Sequence, residues 1–275
     1  MTQEQQLSIL AMENRERIVN MIYRAKAGHP GGSLSVIDIL TAIYELDVDL
    51  TAEKRSRVVL SKGHAVPAQY AIFNEKGIVS EQEMGTYRSV NSRLQGHPYL
   101  VDVPQSDATT GLLGQGLSVA VGIAVAKKHD GEKHRVYAVV GDGELMEGQI
   151  WEAVMEAPQF RLDNLVLVVD YNKLSSSGPV KDVMDPDPLA EKLKAFRWDV
   201  MEIDGHNMEQ IVRCIRLARK GTGRPIAIVA NTVKGKGVSF MENNPKWHSS
   251  ALTDEEYRTA LADIEREKEA VRLGK

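Results

Sequence analysis

The sequence predicts an α/β fold, a doubly wound parallel sheet with helices on both faces, formed as a single domain over residues 1–275. Three observations carry this. The runs "VYAVV" (136–140), "LVLVVD" (165–170), "WDVMEI" (198–203) and "PIAIVAN" (225–231) are largely continuous in Val, Ile and Leu, as strands buried on both faces are. Helix-periodic stretches at 148–160, 188–196 and 207–220 separate them, the rhythm of βαβ units. Neither an internal repeat nor a linker divides the chain, and 43% hydrophobic residues are ample for one core.

The elements follow in order. Residues 3–27 place Leu7, Leu10, Ile18 and Ile22 at helical spacing, which predicts an amphipathic helix. "GHPGG" (28–32) reads as a loop, with Ser33 capping a helix through "LSVIDILTAIYEL". "RVVLS" (57–61) predicts a short strand running into "KGHAVPAQYAIF", and from Gly85 to Gly111 the chain is irregular. The Gly-rich turn "TTGLLGQG" (109–116) then opens the apolar helix "LSVAVGIAVAKKH", followed by the mixed-charge loop "KKHDGEKHR" (127–135). Asp187 and Pro188 provide an N-cap and a first-position proline. Thr253 and Glu256 form a capping box for a last helix.

Composition removes several function classes. The net charge of -4 comes with no basic face, so no nucleic-acid partner is expected. The N-terminus lacks a signal peptide, and no apolar run approaches the ~18 residues of a membrane span. A soluble cytoplasmic protein is expected. The single cysteine, Cys214, excludes an internal disulfide and reads as a small apolar helix residue.

Doubly wound sheets bind ligands beyond the carboxyl ends of their strands. That selects 61–64, 141–144, 170–173, 204–206 and 231–237, where Gly, Asp, Asn and His are concentrated. Asp142 ends one strand and Asn172 the next. A carboxylate and an amide carbonyl are hard oxygen ligands, suited to Mg²⁺, Ca²⁺ or Mn²⁺ rather than zinc. Two are too few for a cage, but they suit an ion shared with phosphate oxygens and water. Gly141 and Gly143 let the backbone approach a diphosphate. Alone, Gly-Asp-Gly reads equally as a tight turn whose Asp caps a helix, and Asn172 favours the metal.

"GDGELMEGQIWEA…VVDYNK" resembles the diphosphate-binding motif of thiamine-diphosphate enzymes. With "AGHPGGSLS", "VVLSKGHAVPAQYA", "LQGHPYL", "ATTGLLGQGLSVAVGIA", "DGHN" and "VKGKGVSFMENNPKWH", the chain is similar to the transketolase family from residue 7 to 260. The resemblance implies the thiamine-diphosphate-binding fold of that family's diphosphate half. It implies that Asp142, Asn172 and the Leu174 carbonyl bind the cation. It also implies cofactor contacts from Gly111, Leu112, Leu113, Gly114, Gly141, Gly143, Glu144, His64 and His248. Many family members carry proline at the Leu112 position and glycine at the Ser249 position, so those two loops depart from the pattern.

Four histidines, His29, His64, His97 and His248, fall on family positions in Gly-, Pro- or Trp-flanked loops. Singly, each also reads as a structural histidine. Their spacing does not suit zinc, and acid/base or phosphate roles fit better. By resemblance, His64 and His248 reach the diphosphate or the substrate, while His29 and His97 bind the donor's oxygens and assist proton transfer. Glu147 matches an acid that links paired cofactor sites at the subunit interface; a solvated helix acid is the competing reading. His129 and His134 read as solvated, and His206 as structural.

No residue here matches the glutamate that activates the cofactor in the family's second domain, which also carries the arginines that grip a sugar phosphate. The expectation is therefore the N-terminal subunit of a split transketolase, an α2β2 complex with a C-terminal, pyrimidine-binding chain, inactive alone. It would move a two-carbon ketol unit from a ketose phosphate to an aldose phosphate, in the pentose phosphate pathway or a specialised route. Alternatives are a ketol or acyl transferase with another sugar or acceptor, and a non-catalytic module keeping the fold.

Overall fold

The structure is a computed structural model and describes residues 1–274. In chain order the elements are α1 (Gln3–Ala25), α2 (Pro30–Asp47), β1 (Arg57–Leu60), α3 (Val66–Glu75), α4 (Glu81–Met84) and α5 (Gln115–His129). There follow β2 (Val136–Gly141), α6 (Gly148–Gln159), β3 (Leu165–Tyr171), α7 (Val180–Met184) and α8 (Leu189–Ala195). The chain ends with β4 (Asp199–Asp204), α9 (Met208–Lys220), β5 (Ile226–Asn231) and α10 (Asp254–Arg272).

All five strands are parallel, in the order β1-β2-β3-β5-β4. The expected doubly wound sheet is present: one apolar core lies between the sheet and α1, α2, α3, α9 and α10, the other between the sheet and α5, α6 and α8. Every residue of β3, the central strand, is buried, whereas β4, on an edge, is largely half-exposed. That position explains why "WDVMEI" carries acids that the central strands lack.

Several helix boundaries differ from the sequence reading. His29, not Ser33, occupies the N-cap position of α2, with Pro30 at its first turn. Proline's fixed φ and missing N–H suit it to that turn. Ser33 lies inside the helix, its hydroxyl donating to the His29 carbonyl at 2.7 Å. Pro188 rather than Asp187 holds the N-cap position of α8. Asp187 Oδ1 accepts from the Tyr171 hydroxyl at 2.8 Å and, at 3.4 Å, from the Leu189 amide at the start of α8. α5 ends at His129, where the expected helix "LSVAVGIAVAKKH" ends. α3 and α7 add to the helices expected from sequence, and the Thr253–Glu256 capping box forms as expected. Among the described residues, no helix is long and apolar enough to cross a membrane.

Register then places the site. Gly141 is level with Asp170, and Tyr171 with Asn231. The residues that follow, Asp142, Asn172 and Thr232, leave the sheet at one end, where Ser61–His64 also leave β1.

Candidate active site

A cavity of about 230 Å³ opens at that end of the sheet. Asp142, Asn172, Leu174, Glu144, His64 and His248 line it, with Leu113, Gly141, Gly143 and two lysines, Lys62 and Lys234. Residues expected from five separate stretches are thus brought together.

At its base, Asp142 is 2% exposed. Its Oδ1 accepts from the Gly143 amide at 2.8 Å, and its Oδ2 from the Lys173 amide. Burial and the nearby Asp170 carboxylate push Asp142 up to about 7. Asn172 Oδ1 accepts from the Leu174 amide at 3.1 Å, and its Nδ2 donates to Asp170 at 3.2 Å. The Leu174 carbonyl accepts from Lys234 Nζ at 2.8 Å. Among the described residues, no group of three or more His, Cys, Asp and Glu is placed to hold a metal. The oxygen donors here are one carboxylate, one amide and one backbone carbonyl. That set fits a hard divalent cation sharing its shell with a ligand's oxygens. A cation would also relieve the crowding of Asp142 by Asp170, so the residues present fit the expected group.

The sequence reading missed the charged groups behind this wall. Asp170, fully buried, accepts from Lys62 Nζ, from the Ser35 hydroxyl at 2.6 Å and from the Thr232 hydroxyl. Burial alone would raise Asp170, but Lys62 and the two hydroxyls hold it below the usual carboxylate range. Lys234, 2% exposed, also donates to the Ser175 carbonyl at 3.1 Å and meets His248 Nδ1 at 3.0 Å. Burial, then Lys62, lowers it to about 8. The available signal was a lysine beside glycine just past a strand end, in "SKGH" and "VKGKG".

Glu144 stands in the cavity wall, but its carboxylate is turned into the protein. It accepts from the Ser61 hydroxyl, from the Gly114 amide at 2.9 Å and from the Gly141 amide at 3.2 Å. Burial raises its pKa against those three donors. It therefore ties the turn after β2 to the 109–116 turn. That turn needs its glycines: Gly114 has φ +84°, and a Cβ there would lie 2.7 Å from Glu147 Cβ. Gly111, at φ +141°, packs on the His97 ring. Leu112, in contrast, points out and is 77% exposed. Glu147 sits at the N-cap position of α6 without a side-chain cap bond and is exposed.

The four histidines converge. Ring centroids lie 5.2 Å apart for His29–His64, 5.1 Å for His64–His248, 5.5 Å for His29–His248 and 6.4 Å for His29–His97. Burial followed by Arg88 lowers His29 to about 4, and burial followed by Lys234 does the same to His248. Burial and Lys62 hold His64 well below the ordinary range, and burial and Arg88 lower His97. At neutral pH these are uncharged imidazoles, each with one donor and one acceptor nitrogen, suited to sugar hydroxyls and proton movement. His29 Nδ1 is buried with no hydrogen-bond partner among the described residues. His206 is structural as expected: its Nδ1 meets Asp38 at 2.7 Å and its Nε2 accepts from the Val233 amide at 2.8 Å. His134 is solvated as expected, its side chain 42% exposed with Nδ1 3.5 Å from Glu132.

Comparison with known proteins agrees with this geometry. The profile of the family described as "Transketolase, thiamine diphosphate binding domain" matches residues 8–268. The chain is 42% identical over 268 residues to one of the subunits of apulose-4-phosphate transketolase from Phocaeicola vulgatus, covering 95% of each chain. It is 39% identical over 271 residues to a 6-deoxy-6-sulfo-D-fructose transketolase subunit of Clostridium sp., covering 96% of this chain and 98% of that one. The crystal structure of transketolase from Campylobacter jejuni superposes with a TM-score of 0.88 at 30% identity, over 100% of this chain and 47% of that one.

Proposed function

The chain belongs to the transketolase family, as its thiamine-diphosphate-binding domain, and from that premise we propose that it is the diphosphate-binding subunit of a two-chain transketolase. The observation that carries the proposal is the convergence of His29, His64, His97 and His248 over a cavity whose base is Asp142, Asn172 and the Leu174 carbonyl. In this reading the base holds Mg²⁺, or Ca²⁺ or Mn²⁺, together with the cofactor's diphosphate. The Gly143 amide, His64 and the buried ammonium of Lys234 face the phosphate oxygens.

When bound, thiamine diphosphate supplies the nucleophilic carbon and the electron sink that free sugars lack. The chain's own residues bind and orient. His97, the one exposed residue of the four, and His29 beside it hydrogen-bond the donor ketose at its carbonyl and adjoining hydroxyl. Because they are neutral, either can take a proton on its free ring nitrogen, and pass one on by releasing the proton of the other nitrogen as it does so. His248, pinned by Lys234, presents its remaining nitrogen to the ligand. Glu144 and the 109–116 turn hold the loops that close around the cofactor.

The partner chain is proposed on two grounds. This chain covers 47% of the solved transketolase. Two close relatives are named as subunits of comparable length. We take the assembly to be an α2β2 complex and its place to be the cytoplasm. A second reading concerns only the sugar: those relatives are named for apulose 4-phosphate and 6-deoxy-6-sulfo-D-fructose, so a specialised donor is favoured alongside a common ketose phosphate.

The test is ketol transfer with thiamine diphosphate and Mg²⁺, by this chain alone and then with the polypeptide encoded beside it, across a panel of ketose phosphates and a sulfonated ketose. Turnover only in the mixture supports the two-chain enzyme, and the sugar consumed fastest names the donor. Turnover by this chain alone overturns the split assembly, and cofactor binding without transfer of any sugar overturns the transferase.

A further inference from the structure

The "DGHN" segment lies outside the cavity, yet His206 is connected to it through one short loop. Val233 donates its amide to His206 Nε2 at 2.8 Å. That bond makes Nε2 the acceptor and puts the ring proton on Nδ1, which faces Asp38 Oδ2 at 2.7 Å. Asp38 is in turn held by both terminal nitrogens of Arg15, at 2.8 and 2.5 Å. Arg15, fully buried, closes the circuit by donating its Nε to the Lys236 carbonyl at 3.0 Å. The two ends of the segment 233–236 are therefore gripped by one network of three side chains from three separate elements. Between them stands Lys234, whose ammonium holds the Leu174 and Ser175 carbonyls and His248.

We propose that His206 is a positioning residue for Lys234: by capturing the Val233 amide it fixes where the lysine enters the cavity. A lysine side chain has four rotatable bonds and little directional preference of its own. Placing its ammonium against two carbonyls and an imidazole requires the backbone that carries it to be held. The Asp38 carboxylate sets the tautomer of His206, so the grip runs from Arg15 to Asp38 to His206 to Val233. Only its consequence for ligand binding rests on the cofactor-site reading.

Two substitutions separate the halves of the imidazole. His206→Gln keeps an acceptor near the Nε2 position for the Val233 amide. His206→Asn keeps only a donor near the Nδ1 position for Asp38. The first readout needs no ligand: chemical acylation of lysines in the full chain, followed by mass spectrometry, with Lys62 as internal reference because it too is 2% exposed. Acylation of Lys234 is expected to quicken about tenfold in His206→Asn, the scale on which removing an outer partner loosens a site, to stay near the wild-type rate in His206→Gln, and to leave Lys62 unchanged in both. Equal gains at Lys62 and Lys234, or no gain at Lys234 in His206→Asn, overturn the proposal. The second readout is the Kd of inorganic pyrophosphate with Mg²⁺, expected to weaken about tenfold in His206→Asn and to show no further loss when Lys234→Met is already present. If the wild-type chain binds no pyrophosphate, the cofactor-site reading fails, while the acylation pattern still decides the role of His206.

Discussion

His29 and His248 meet edge to face, ring centroids 5.5 Å apart and planes at 87°, although one lies before α2 and the other before α10. Neither position is fixed by its local sequence alone. His29 is carried by the N-cap position of α2. His248 is held by Lys234, and the Ser250 amide donates to the Gly28 carbonyl at 3.1 Å, joining the two loops directly.

This pair should titrate together well below neutrality. Burial first, then Arg88 for His29 and Lys234 for His248, brings each to about 4 from 6.5. Because the folded values are depressed, the stability they confer is whole above pH 6.5. It is lost as pH falls from there toward 4. Histidine Cε1–Hε1 NMR signals followed from pH 8 to pH 3.5 check this; midpoints near 6.5 for both would contradict the burial.

Arg88 forms no ion pair among the described residues, yet its charge lowers both His29 and His97. Arg88→Met should move both titrations upward and leave His248, which lies under Lys234, in place. A uniform shift of all three would mean that the substitution had opened the cluster to water rather than removed a charge.

Gly116 packs on Ser61, and a Cβ there would lie 2.7 Å from the Ser61 Cα. Gly116→Ala should cost about 1–3 kcal/mol by overpacking, visible as a lower urea midpoint. The same change should loosen Glu144, since Ser61 donates to it.

Asp142 is the one side-chain carboxylate among the proposed cation ligands. Mg²⁺ with thiamine diphosphate at about 100 times Kd should raise the wild-type thermal midpoint by about 5–10 °C, and Asp142→Ala should abolish that rise. A comparable rise in the variant would place the cation elsewhere.

Much of this was legible in the chain. Continuous Val/Ile/Leu runs with helices between them specify a covered parallel sheet, and that architecture points to the residues just past each strand. Asp142 and Asn172 were readable because both leave neighbouring strands at the same end. The four histidines were legible from their motifs rather than from spacing, since only the folded sheet brings residues 29 and 248 together. Lys62, Asp170 and Lys234 fell inside the selected stretches, but their burial and pairing were not legible. Lysine is ordinarily a surface residue, and its burial depends on partners supplied by β3 and by the loops after it. The start of α2 was misread for a local reason: Ser33 is a strong capping type, but Pro30 already commits the chain to the helix's first turn.

The buried charges of the cavity wall have a thermodynamic consequence. Lys62 and Lys234 stand among three buried carboxylates, Asp142, Asp170 and Glu144, so the pocket wall carries charges of both signs. A divalent ion arriving alone crowds the ammonium groups, and a diphosphate arriving alone crowds the carboxylates. Each corrects the imbalance left by the other. On the proposed reading of this site, metal and diphosphate are expected to bind as a pair, each tightening the other's binding by the same factor, by reciprocity.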